Sequence, residues 1–129
     1  MTDQTNVSHR VAAVDRDKAL TFDWGAIQWL VNGQRIAHSQ LTFGYVEIKP
    51  GRKNFKHYHP NCDEVLYLLE GELDHSLGGE HVPLTAGMSI HIPMGVHHDA
   101  VNRSTVTARM VVAYSSGDRQ TVTVEEGQE

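Results

Sequence analysis

Four side chains in the middle of the sequence have the types and spacing to hold a metal ion. His57 and His59 are separated by one residue, so on a strand both imidazoles project from one face. Glu64 follows beyond Pro60-Asn61, where a turn can return its carboxylate to the same point. His98 lies past Pro93-x-Gly95 and can join the others only through tertiary folding. Three neutral imidazoles and one carboxylate suit a single borderline divalent transition ion such as Fe, Mn, Ni, Cu or Zn. Six-coordinate geometry then leaves two positions open for water, oxygen or substrate, and Glu64 can act as a catalytic base as well as a ligand. The plain alternative is a strand carrying two solvated histidines, because His-x-His alone is a weak signal.

The remaining candidates surround this group. Phe55 shares parity with His57 and His59 and is expected to face the same cavity. Lys53, two residues further out, would reach its mouth. In Val106–Tyr114 the polar Thr107 and Arg109 alternate with Val106, Ala108, Met110, Val112 and Tyr114, which predicts a half-buried strand with Met110 and Val112 lining the interior. His91, two residues before Pro93, is a further candidate for lining the cavity, a hydrogen-bonded structural role being its alternative. His97 should point away from His98. His75 and His81 flank an expected hairpin tip at Gly78-Gly79 and are assigned to solvent. Cys62, between His59 and Glu64, reads as a buried inert thiol.

The elements that must position these groups are short. Asn32-Gly33, Pro50-Gly51, Gly71, Gly78-Gly79, Pro83, Gly87, Pro93-x-Gly95, Asn102 and Gly117 punctuate segments rich in β-branched and aromatic residues. That pattern predicts an all-β sandwich or small barrel, with one helical turn near Asp15–Leu20 and no long helix. Residues 1–10 and 125–129 read as loose tails around one domain spanning 11–124. Phe22, Trp24 and Trp29 precede the candidate ligands, where they would cap a barrel or form a homodimer contact.

With 129 residues there is room for one domain, and 40% apolar against 21% charged residues is ordinary for a globular chain. A net charge of −5 argues against nucleic acid or an anionic membrane as the main partner and leaves a small molecule as the expected one. No apolar run is long enough for a transmembrane helix, and the N-terminus lacks a secretory pattern. The single cysteine forms no internal disulfide, which points to a cytoplasmic location.

Taken together, the fixed positions resemble a known family. Gly51-(x5)-His57-x-His59-(x4)-Glu64-(x6)-Gly71 is similar at every fixed position to the first motif of the cupin superfamily. Gly87-(x5)-Pro93-x-Gly95-(x2)-His98-(x3)-Asn102 is similar to the second, and 15 residues separate the two. The resemblance covers about residues 41–115. It implies a cupin jelly-roll barrel (a double-stranded β-helix) of about six to eight core strands plus N-terminal strands. It also implies that His57, His59, Glu64 and His98 are metal ligands. Met88 departs from the family, which often has Asp after the glycine. The resemblance leaves the reaction open; a bidentate substrate, or a substrate plus oxygen, would fit the two open positions, which favours a dioxygenase-like oxidoreductase on a small anionic or enolisable molecule. A redox-neutral lyase or isomerase and a non-enzymatic binding protein are its alternatives.

Overall fold

Alternating burial along segments such as Thr42–Ile48 and Ala108–Tyr114 organises the chain into antiparallel strands. The computed structural model describes residues 7–124; residues 1–6 and the expected C-terminal tail at 125–129 lie outside the described residues. Part of the expected N-terminal tail is structured, because Ser8–Arg10 forms a 3-10 turn whose His9 carbonyl accepts from Arg35. A second 3-10 turn, Arg16–Lys18, is capped by the Asp15 carboxylate accepting from the Asp17 N–H.

Among the described residues eleven strands follow: β1 (Leu20–Phe22), β2 (Gly25–Val31), β3 (Thr42–Ile48), β4 (His57–Tyr58), β5 (Glu64–Glu70), β6 (Glu72–Leu77), β7 (Glu80–Thr85), β8 (Ser89–Ile92), β9 (His98–Val101), β10 (Ala108–Tyr114) and β11 (Val122–Thr123). They form two antiparallel sheets, one ordered β1-β2-β3-β10-β5-β8 and the other β11-β4-β9-β6-β7. Strands β3 to β10 supply the jelly roll and β1 and β2 the N-terminal addition, as the sequence implied.

Parity decides the core. Thr42, Gly44, Val46 and Ile48 of β3, Ala108, Met110, Val112 and Tyr114 of β10, and Glu64, Leu66 and Leu68 of β5 all face inward. Leu68 is wholly excluded from water, and burying such a side chain contributes about 1.5–3 kcal/mol. Strand β10 starts at Ala108, so Val106 is exposed rather than inward. The chain there is turned by Asn102, whose amide donates to the Ile48 and Val106 carbonyls at 2.9 and 2.8 Å. Gly71 links β5 to β6 at φ 87°, and a Cβ there would stand 3.0 Å from the Ala108 backbone, so the crossing needs glycine. Gly78 and Gly79 form the expected two-residue turn between β6 and β7, with φ of 57° and 89°.

Candidate metal centre

The first three candidates come from the two sheets and the loop between them. Strand β4 is only two residues long, and the stretch before it, which the shared parity of Lys53, Phe55 and His57 treats as strand, keeps only a single bridge between Lys53 and Val101. His57 pairs with His98 across β4 and β9, and Glu64 begins β5. His59 is tied down from outside: its carbonyl accepts from the Gly95 N–H at 2.9 Å, which docks the Pro93-x-Gly95 turn against the first motif. One ligand atom from each of His57, His59, Glu64 and His98 lies within 4.8 Å of the others. His59, Glu64 and His98 are buried, and His57 is partly buried.

Hydrogen bonds on the far side of each ring fix what these groups present. The Nδ1 of His57 is 2.7 Å from the Phe55 carbonyl, that of His59 is 2.9 Å from the Gln120 carbonyl, and that of His98 is 2.9 Å from the Val96 carbonyl. A carbonyl only accepts, so each Nδ1 carries the proton and each Nε2 turns a lone pair toward the shared centre. His59 Nε2 and His98 Nε2 approach Glu64 Oε1 at 3.3 and 3.2 Å, yet none of the three atoms has a hydrogen-bond partner. Converging lone pairs and a buried carboxylate oxygen repel one another unless a cation sits among them. The donor set therefore fits a divalent transition ion.

The electrostatics follow from this crowding. Burial, and then the charge of His98, hold the His57 imidazole down at about 4. Burial pushes the Glu64 carboxyl upward, but the contacts with His59 and His98 outweigh it and leave the group below the usual carboxylate range. Burial likewise lowers His98, and the Glu64 carboxylate more than reverses that.

Beside the donors lies a cavity of about 250 Å³. Met110 and Val112 line it, as expected. Phe55 borders it at the rim, 63% exposed, because the loop before β4 breaks strand parity. His91 does not line it: on β8 it faces outward, with Nε2 2.9 Å from Asp63 Oδ2. This corrects its assignment to the cavity in favour of the structural alternative. Phe22 and Trp24 stack with ring centroids 5.0 Å apart and, with Trp29, form part of the wall, so the aromatic cluster does cap the barrel. Lys53 reaches Asp99 at 3.8 Å, and Tyr58 stacks on His97 outside.

Further lining residues include two that the sequence did not place at the cavity, His75 and Arg119, and one, Tyr114, that shares the face of Met110 and Val112. His75, assigned to solvent, is 1% exposed and lies parallel to His98 with centroids 6.0 Å apart; burial lowers its pKa to about 4. Parity would have found it, since Leu73 and His75 share a face of β6. Tyr114 pairs with Glu64 in register, and burial drives its phenol well above the ordinary value. Arg119 lies after the last core strand, its guanidinium 4.5 Å from the Trp29 ring centre and 5.2 Å from that of Tyr114. Gly44 makes room for this stack, because a Cβ there would stand 2.7 Å from the Trp29 ring.

A two-sheet jelly roll enclosing three imidazoles and a carboxylate defines a class of metal-binding β-barrel. The chain belongs to the cupin family, since residues 44–114 match the family model described as Cupin domain. A curated relative, "Tetracenomycin polyketide synthase protein TcmJ" of Streptomyces glaucescens, is 33% identical over 91 residues, which are 70% of this chain and 61% of the relative. The match thus spans about six-tenths of that protein's length. Among solved structures, oxalate oxidase in complex with the substrate analogue glycolate superposes with a TM-score of 0.79 at 22% identity, covering 94% of this chain and 66% of that one. Oxalate decarboxylase of Lactobacillus farciminis gives a TM-score of 0.77 at 18% identity, covering 83% and 33%. At these identities the two structures show the fold.

Proposed function

We propose that His57, His59, Glu64 and His98 hold one divalent transition metal, and that the chain is a metal-dependent enzyme acting on a small anionic or enolisable molecule in the adjoining cavity. One observation carries this reading: three unpartnered, buried ligand atoms converge with their tautomers already set for coordination. The bound ion supplies Lewis acidity and, if redox-active, electron transfer. The chain's own residues do the rest. Met110, Val112 and the aromatic wall exclude water, which strengthens every electrostatic contact inside. Arg119, braced on Trp29 and Tyr114, attracts an anionic substrate toward the opening. Glu64 can take a proton from an enolisable carbon as well as serving as a ligand.

We assign the reaction to dioxygenase-like oxidoreductases. The oxidase among the fold neighbours supports that direction. The name of the curated relative supports an enolisable substrate, because a polyketide is a chain of ketones. A redox-neutral lyase or isomerase is the second reading, favoured by the decarboxylase on the same fold and by the acid–base groups Glu64, His75 and Tyr114 around the cavity. Assembly as a homodimer is proposed through the edge strand β1, where Leu20 and Phe22 are exposed; light scattering at the monomer mass would refute it. The unpaired Cys62 thiol suits a reducing cytoplasm.

The test is metal analysis of protein purified without chelator, followed by oxygen consumption across phenols, diketones and small acids. About one metal ion per chain with oxygen uptake supports the first reading. Turnover without oxygen supports the second. A metal-free protein overturns both.

A further inference from the structure

The fourth imidazole at the cavity is built the opposite way from the three ligands. His75 Nδ1 is sealed from solvent and has no hydrogen-bond partner. If it carried a proton, that N–H would be buried without an acceptor, a rare and costly state. The tautomer that leaves only a lone pair there puts the proton on Nε2, the nitrogen left to face the cavity that His75 lines. So three rings turn lone pairs inward and this one turns an N–H inward.

A second donor stands beside it. His75 pairs in register with Ala100, and Asn54 Oδ1 accepts from the Ala100 N–H at 2.8 Å. That bond fixes the orientation of the Asn54 amide, leaving its NH2 as the free polar end of another cavity-lining side chain. Two N–H donors thus border one small residue, Ala100, and the His75 ring stands 6.0 Å from that of His98, centroid to centroid.

We infer that His75, seconded by Asn54, is an oxygen-binding wall next to the four-donor centre, which selects ligands carrying a second oxygen besides the one directed at that centre. The substrate class is therefore a hydroxy acid, diketone or ortho-substituted phenol rather than a ligand with one polar end. This inference rests on the reading of the four donors as a metal centre for the first oxygen. The donor role of His75 stands independently of it.

The test has two arms. Zinc-loaded protein labelled with 15N-histidine is studied by long-range proton–nitrogen correlation at neutral pH. His57, His59 and His98 are expected as Nδ1–H tautomers. The signal missing from His75→Phe is expected as Nε2–H. An Nδ1–H tautomer or an imidazolium at His75 overturns the proposal, and the same spectrum of metal-free protein decides it if no zinc binds, in which case only the metal reading has failed.

In the second arm salicylate and benzoate are titrated calorimetrically into the zinc-loaded protein. Wild type is expected to prefer salicylate by about ten-fold, the worth of one well-placed hydrogen bond to its additional phenol oxygen. His75→Phe should abolish that preference with zinc content and benzoate affinity kept, Asn54→Ala should reduce it, and His75→Gln should restore part of it. An unchanged preference in His75→Phe overturns the proposal. Should His75→Phe not fold, His75→Gln and the wild-type spectrum carry the test.

Discussion

Asp63 and Glu64 are adjacent in the chain, and each meets histidine, with opposite results. Asp63 points outward, where its carboxylate accepts from His91 at 2.9 Å and from the Ser115 hydroxyl at 2.6 Å. Its bonds are made and its surroundings are wet, so the pair is an ordinary surface contact. Glu64 points inward to His59 and His98 at similar distances, yet its Oε1 and both Nε2 atoms lack hydrogen bonds. The difference lies in the backs of the rings. Around Glu64, backbone carbonyls claim the Nδ1 protons of His57, His59 and His98 and leave their ring fronts as bare lone pairs, whereas His91 donates its proton directly to the acid. Residue type alone therefore does not make a metal site; the second hydrogen bond of each ring does.

The contrast can be broken most forcefully from the inside. Replacing both His57 and His59 by Ala should strip the metal, seen as loss of bound ion in elemental analysis. Chelating the metal from wild type should cost about 4 kcal/mol of stability if the ion is held at a thousand times its dissociation constant, read as a lower unfolding midpoint. Full occupancy in the double variant would remove the basis for distinguishing Glu64 from Asp63.

A smaller effect is expected when the cavity is disturbed without touching the donors. Gly44→Ala pushes a methyl group into the Trp29 ring and should destabilise by about 1–3 kcal/mol, measured by denaturant unfolding, while metal content stays whole. Arg119→Gln should leave both stability and metal almost unchanged and weaken binding of an anionic probe such as benzoate by roughly ten-fold at low salt, less as salt rises. Loss of metal in either variant would show that wall and centre are not separable.

The outer pair gives the smallest effect, visible only as a pH dependence. The His91 hydrogen bond, then that of Ser115, holds Asp63 at about 2, below its ordinary 3.8. A depressed carboxylate stabilises the fold above its unfolded pKa and loses that contribution as pH falls toward the folded value. Between about pH 4 and pH 2, Asp63→Asn should therefore flatten the fall of the unfolding midpoint and change little at neutral pH. An equally steep fall in the variant would show that the outer contact does not bias this carboxylate.

The clustering of His57, His59, Glu64 and His98 was legible in the sequence because turn glycines and prolines, fixed by backbone conformation, bracket them at set spacings. Met110 and Val112 were legible because β10 alternates cleanly. His75 was misassigned because its nearness to Gly78-Gly79 was weighed above the parity it shares with Leu73. His91 was drawn toward the cavity by its nearness to Pro93, although on β8 it is Ile92, not His91, that is buried. Arg119 follows β10 in an irregular stretch where no periodicity operates, so nothing but tertiary folding could bring it over Trp29. Phe55 kept its neighbourhood but lost its burial when the expected strand shortened to a single bridge.

The aromatic cap has a consequence for how such a protein can diversify. The four donors and His75 all fall within residues 44–114, the stretch that matches the family. Phe22, Trp24 and Trp29 come before that stretch and Arg119 after it, yet all four border the same cavity. The aromatic cap and the Arg119 cation are thus encoded outside the length of chain that carries the donors and His75. Exchanging the terminal segments between relatives would therefore change the aromatic and cationic border of the cavity while leaving the inherited donor set intact.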